Sequence, residues 1–133
     1  MKEMTVIVDN RIGTLANIAE ALGGAGVNIE AVSAYGQGTN AVFRLVTKDP
    51  ASAKRVLEKV PGIRGTTVSD ILVVKMPNRP GELGKLTRKL SNRKVDLESV
   101  YILGKTSDAF TEVAIKPVEA HLSLAKDALG IKD

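Results

Sequence analysis

Asparagine and glycine recur together in this chain at spacings that suit the recognition of a small polar molecule. Asn10 and Gly13 stand in DNRIG, Asn28 follows 18 positions after Asn10 in VNIE, and the turn returns as Asn78, Arg79 and Gly81 in NRPG. A primary amide offers a donor and an acceptor together. Glycine lets a ligand or a partner backbone approach closely. Each turn lies between an apolar run and a helical pattern, so it should carry Asn10 or Asn78 to the junction of a strand with a helix N-terminus, where unpaired N–H groups favour a carboxylate. The same residues also suit a tight turn with no ligand, and the turn alone leaves both readings open. Asn28 tilts the balance, because near the start of the next strand its amide could face one small pocket with that of Asn10. Two such amides plus backbone N–H groups would serve both the ammonium and the carboxylate of a free amino acid. In the second half the matching residue is Asp96, whose charge would repel that carboxylate unless the ligand turned around.

Other chemistry finds little support. The chain has no cysteine and one histidine, which excludes disulfides and thiolate metal sites and leaves no basis for a metal or cofactor. His121 is followed by SLAK, which offers no oriented nucleophile, and reads as an ordinary helix-surface residue. Glu30 and Glu98 fall in separate halves, so a carboxylate pair for glycoside hydrolysis is not in view. GGAG at Gly23 to Gly26 lacks the dinucleotide-binding order and ends a helix instead of opening one. No catalysis is expected.

The repeated turn belongs to a longer repeat. With a constant shift of 68 (78 minus 10) the halves superpose without a gap from residue 4 to residue 63, matching Leu22 with Leu90, Val27 with Val95, Glu30 with Glu98 and Gly36 with Gly104. Each copy starts with an apolar strand, Met4 to Val8 or Leu72 to Met76. Leu15, Ile18, Ala19 and Leu22, like Leu83, Leu86 and Leu90, then recur at helical spacing. Alternating strands begin at Val27 and Val95, hairpins at Gly36 and Gly104 lead to third strands at Ala41 to Thr47 and Ala109 to Ile115, and second helices should start near Asp49-Pro50 and Lys116-Pro117. The unit is β-α-β-β-α with a fourth strand, Thr66 to Ser69, in the first copy only. This predicts an α+β chain of two ferredoxin-like βαββαβ units, antiparallel sheets with helices on one face, divided into residues 1–69 and 70–133. A single long strand from about Thr66 to Met76 should join them, and the second unit's missing edge should be covered by the other repeat or a second chain.

Strand alternation puts Val32, Ala34, Val42 and Val46, with Val100, Ile102, Phe110 and Ala114, on the face away from the helices. That face also carries Arg44 and Glu112, opposite charges that could meet if two such faces packed, or remain solvated. The net charge is +4, with Lys85, Arg88, Lys89, Arg93 and Lys94 crowded on one stretch that reads as a solvated helix face. RNA binding through the open face is disfavoured, since of Tyr35, Phe43, Tyr101 and Phe110 only the last is predicted outward. The aliphatic run Ile71 to Val74 is too short to cross a bilayer and MKEMTVIVDN does not read as a secretory signal, so a cytoplasmic protein with no membrane or nucleic-acid partner is expected.

The stretches DNRIGTLANIAEALGGAGVNI and PNRPGELGKLTRKLSNRKVDL together resemble the ACT domain, an amino-acid-sensing regulatory module, and the duplication resembles the stand-alone tandem members. The second turn fits the family's N-R-P-G-x-L more closely, because Ile12 replaces proline in the first. The resemblance implies a non-catalytic regulatory protein, an amino-acid effector held between the turn and the second strand where two modules meet, and a homodimer or higher homo-oligomer. It implies ligand-binding positions at Asn10, Arg11, Ile12, Gly13 and Asn28, and at Asn78, Arg79, Gly81 and Asp96, with Asp96 departing from the asparagine of serine-sensing members. Val8 and Met76 stand where some of those members carry histidine, which weighs against serine, and the histidines and cysteine of metal-sensing relatives are absent. Regulation would act in trans on an enzyme of amino-acid biosynthesis, acetolactate synthase being one candidate. A ligand-free dimerisation module remains the alternative.

Overall fold

The computed structural model describes residues 1–132, so of the three residues read as following the last helix, Asp133 lies outside the described residues. The chain separates into two compact units, Met1–Asp70 and Ile71–Asp133. The first runs β1 (Lys2–Asp9), α1 (Thr14–Gly24), β2 (Ala31–Gln37), β3 (Asn40–Val46), α2 (Pro50–Leu57) and β4 (Ile63–Asp70). Its strands lie in the order β2-β3-β1-β4, all pairs antiparallel. The helix-facing residues Met4, Val6, Val8, Ala41, Phe43 and Leu45 pack against Ile18 and Leu22 of α1 and Ala53 and Leu57 of α2. Spacing by four on each helix brings those pairs onto one side. Pro50 opens α2 behind Asp49, which accepts hydrogen bonds from Ser52 Oγ at 2.6 Å and Ser52 N at 3.0 Å; these hold the Asp49 carboxyl below the usual carboxylate range.

The second unit repeats the path as β5 (Leu72–Pro77), α3 (Glu82–Asn92), β6 (Leu97–Lys105), β7 (Phe110–Pro117), a 3₁₀ turn (Glu119–His121) and α4 (Leu122–Leu129). Its core joins Leu72, Met76, Val113 and Ile115 to Leu86 and Leu90 of α3 and Ala125 of α4. The sheet order is β5-β7-β6, so among the described residues β5 is an edge where its counterpart β1 is central. Thr66 to Ser69 does form a strand, but the joining strand is not continuous. Ile71 belongs to neither β4 nor β5, because Val68 pairs with Met4 in one sheet while Leu72 pairs with Ile115 in the other.

Three further expectations change in detail. The gapless repeat breaks in the second hairpin: Phe43 pairs with Val6, whereas Val74, the residue matching Val6, pairs with Val113, a shift of 70 (113 minus 43). Two residues connect β2 to β3 and four connect β6 to β7, which accounts for the difference. Pro117 closes β7 opposite Leu97 and does not open a helix, since no aspartate precedes it to cap one as Asp49 does. Val32, Ala34, Val100 and Ile102 lie on the helix side, because directly paired residues share a face and these pair with the core residues Leu45, Phe43, Ile115 and Val113. The alternation counted from Val27 and Ile29 does not carry through, as β2 begins only at Ala31.

Val42, Val46, Phe110 and Ala114 do occupy the opposite face, and Tyr35 and Tyr101 join Phe110 there as partners of Val42 and Ala114. Arg44 is not matched with Glu112. Its Nη1 donates to Glu3 Oε1 at 3.1 Å and Thr5 Oγ1 at 3.3 Å, with the Glu3 side chain wholly buried, while Glu112 lies opposite Lys75. Burial would lower the Arg44 pKa, but the bonds to Glu3 and Tyr35 outweigh it and the net shift is upward.

Both first helices of the repeat end alike, with Val27 N donating to Leu22 O at 2.9 Å and Val95 N to Leu90 O at 3.0 Å. The residue just before each is left-handed: Gly26 at φ 77° in one unit, Lys94 at φ 57° in the other. Lys94→Gly should therefore raise stability by about 0.5–1 kcal/mol in urea unfolding, as a side chain leaves a strained backbone position. Arg44→Ala should cost about 3 kcal/mol in the same assay, because it strips a direct partner from a buried carboxylate, whereas Glu3→Gln with Arg44→Met should cost less. A loss within error for Arg44→Ala would show that Glu3 is held by its other contacts.

Candidate functional site

The turn after β1 owes its shape to Gly13, which sits at φ 90° as the N-cap of α1; Gly81 does the same for α3 at φ 87°. An added Cβ would meet nothing within 4 Å at either glycine, so backbone conformation alone requires it. Neither helix receives a side-chain cap. Thr14 N donates to Arg11 O at 3.3 Å and Asn17 N to Gly13 O at 2.9 Å, and the second turn repeats these bonds as Glu82 N to Arg79 O and Lys85 N to Gly81 O. With Thr14 N and Asn17 N so engaged, the first turn of α1 borders a groove along Thr14, Leu15 and Ala16.

That groove has a volume of about 350 Å³ and is bounded by Asn10, Arg11 and Gly13 from the turn, by Thr14, Leu15 and Ala16 of α1, and by residues of β2 and β3. Asn10 is fixed in it. Its backbone N donates to Thr39 O at 2.9 Å and its Nδ2 to Gly38 O at 3.1 Å, so the amide is pinned to the β2–β3 hairpin while Oδ1 keeps acceptor capacity. Gly36 makes room for it, since a Cβ there would lie 2.8 Å from Asn10 Nδ2. Arg11 is exposed and only 3.5 Å from Asp9, and Asp9 is also bridged to Arg64. Ile12 is fully exposed and does not border the groove.

Asn10 and Asn28 do not share a pocket. Asn28 borders a separate hollow of about 280 Å³ with Val27, Glu30, Lys48, Asp49 and Ser52, because it precedes β2 at the end of the sheet away from the β2–β3 hairpin. The groove residues missed from sequence are Thr14, Leu15 and Ala16 on the helix and Ala34, Tyr35, Gly36, Ala41 and Phe43 on the sheet. The repetition of Gly36 as Gly104 is the signal in the sequence, and it marks a hairpin as readily as a close approach.

In the second unit Asn78 N donates to Ala109 O at 2.8 Å, matching Asn10. Arg79 is engaged differently: its Nη2 donates to Glu82 Oε1 at 2.8 Å, and Lys85 Nζ approaches the same oxygen at 3.4 Å. The hydrogen bond from Arg79, and then Lys85, hold the Glu82 carboxyl below the usual carboxylate range. Asp96 N donates to His121 Nδ1 at 2.9 Å and Asp96 O accepts from Val118 N, so His121 ties β6 to the last helical segment and is more than a surface residue. On α3, Lys85 pairs with Glu82 and Arg93 with Asp127, as on a solvated helix face. Among the described residues no group of three or more His, Cys, Asp or Glu side chains could hold a metal, and no helix is long and apolar enough to cross a membrane.

Two ferredoxin-like arrangements with a repeated glycine-capped strand-to-helix turn define a tandem α+β module. The family model for an ACT domain pair matches residues 1–110, and the chain belongs to that family. No protein of curated function matches its sequence. Among solved structures, a protein of Bacteroides thetaiotaomicron is similar with a TM-score of 0.81 at 22% identity, over 97% of this chain and 85% of that one. The regulatory subunit of aspartate kinase from Thermus thermophilus, in its ligand-free form, gives 0.71 at 18% identity over 97% and 90%. Aspartate kinase of Clostridium acetobutylicum, described as an allosteric enzyme, gives 0.63 at 14% identity over 96% of this chain and 32% of its own. These likenesses show a shared fold.

Glu82 provides a pH test of the second turn. A depressed folded-state pKa stabilises the fold above the ordinary value of 4.5, and that contribution is lost as pH falls through the folded value. Glu82→Gln should therefore be less stable than the wild type at pH 7, with the gap closing as urea midpoints are followed below pH 4.5. A gap that stays constant with pH would rule out this assignment.

Proposed function

We propose that the chain is a non-catalytic regulatory protein of two ACT units, residues 1–69 and 70–133, which binds a free amino acid and acts in trans on an enzyme of amino-acid biosynthesis in the cytoplasm. The observation that carries this reading is the uncapped N-terminus of α1, opening on a groove beside the pinned amide of Asn10. The aspartate kinase regulatory subunit, with its similar fold, supports an enzyme of that kind as partner. Asn10, Arg11, Gly13 and Asn28 are the positions we assign to the effector, and Ile12, which does not border the groove, is left out; Asn78, Arg79, Gly81 and Asp96 are their counterparts.

A homodimer explains why Asn28 lies away from Asn10 in one copy. β2 is an edge strand with Val32 half exposed, Asn28 precedes its start, and Asn10 is bonded to Gly38 just past its end. Antiparallel pairing of β2 with β2 of a second copy would set the start of one strand beside the end of the other. Asn28 of each copy then meets Asn10 of its mate, and an effector bound between them favours the paired state. The pinning of Asn10 by Gly38 favours a second reading, a ligand-free dimerisation module in which the turn is purely structural.

Calorimetric titration of the purified chain with free amino acids separates the two. On the sensor reading Asn28→Ala weakens binding at least about tenfold, the equivalent of about 1.4 kcal/mol, while Asp96→Ala changes it little. Equal effects would reject the assignment of the first site, and a tight dimer with no amino-acid response would favour the dimerisation module.

A further inference from the structure

We infer that the first unit's groove selects an amino acid with an apolar side chain and that the matching turn of the second unit is closed to carboxylates, so that each chain holds one effector. The inference rests on the proposed amino-acid site and adds its selectivity and stoichiometry. The groove floor is apolar: Phe43 and Ala41 are buried core residues, and Leu15, Ala16 and Ala34 form much of its sides, with Asn10, Thr14 and Tyr35 adding polar groups at the border. None of its bordering residues is acidic, and the one charged side chain is Arg11, which suits a carboxylate and repels a second cationic group. A volume near 350 Å³ is at the small end for ligand pockets and fits a single amino acid. Within this groove a lysine-like side chain would bring its ammonium against the apolar floor, and a hydroxyl would be desolvated against Phe43.

The second unit keeps Asn78, Arg79, Gly81 and Leu83 but departs from this chemistry on the sheet side and at the first helical residue. Ladder pairing puts Val113 where the first unit has Phe43, Thr111 where it has Ala41, and Ile102 where it has Ala34. Thr111 Oγ1 donates to Gly104 O at 2.7 Å, so a hydroxyl occupies the place of a methyl. The substitution of Glu82 for Thr14 matters most. The Glu82 carboxylate, bound by Arg79 and Lys85, belongs to the first turn of α3, and its charge would oppose an effector's carboxylate at that helix end. Both arginines are exposed, but Arg79 pairs closely with Glu82 at 2.8 Å, whereas Arg11 meets Asp9 only at 3.5 Å and shares it with Arg64.

The test is isothermal titration of the full chain with valine, leucine, isoleucine and phenylalanine, and separately with serine, threonine, lysine and aspartate, with thermal shift in parallel. The expected result is one site per chain, with at least one apolar amino acid bound about tenfold or more tighter than any of the polar four. Leu15→Asp should lower that affinity by about tenfold or more with an unchanged melting profile, and Ala34→Asp gives the same readout should Leu15→Asp melt early. Tighter binding of a polar amino acid would overturn the selectivity, and two sites per chain would overturn the closure by Glu82. Absence of heat and thermal shift with all eight would instead remove the amino-acid site itself.

Discussion

The left-handed glycine at the start of each first helix is the constraint on which the rest of the structure depends. At Gly13 and Gly81 the chain must turn from the end of a strand into a helix that covers the same sheet, and a φ near 90° achieves this within a few residues. The conformation also removes the usual capping side chain, so the helix N-terminus stays available to something outside. Packing reinforces the geometry. Ile18 and Leu22, or Leu86 and Leu90, dock onto the sheet and fix the helix axis that the glycine has aimed.

Most of the fold was legible because it follows from local patterning. The strand-turn-helix register and the two helices per unit came from spacing and repetition, and Asp49-Pro50 marked a helix start through its capping chemistry. What escaped was set by pairing across strands. The face of Val32 and Ala34 depends on where β2 begins, the longer second hairpin depends on β7 sliding by two positions, and the break at Ile71 depends on which sheet each neighbour joins. Such choices are non-local, and a single sequence carries no direct record of them.

The site shows the same division. Asn10, Arg11 and Gly13 were found because they lie together on one turn, and their grouping in one groove follows from that. Asn28 was paired with Asn10 on linear spacing, yet a strand seven residues long separates the start of β2 from the hairpin that holds Asn10. Gly36 escaped because its role is to leave space for another residue's side chain, and an absent Cβ has no sequence signature beyond the glycine itself.

The two copies have diverged in a way that physical chemistry makes consequential. Each retains the glycine-capped turn and the backbone bonds that shape it, as the matched bonds of Asn10 and Asn78 demonstrate. What changed is the charge beside the helix N-terminus and the bulk of the groove floor, through Glu82 for Thr14 and Val113 for Phe43. Glu82 places a negative charge in the first turn of α3, favourable at a helix N-terminus and held by Arg79 and Lys85 without a molecule from solution. On the reading proposed above, the second unit is a scaffold of the same shape, while the first leaves the same corner to an effector.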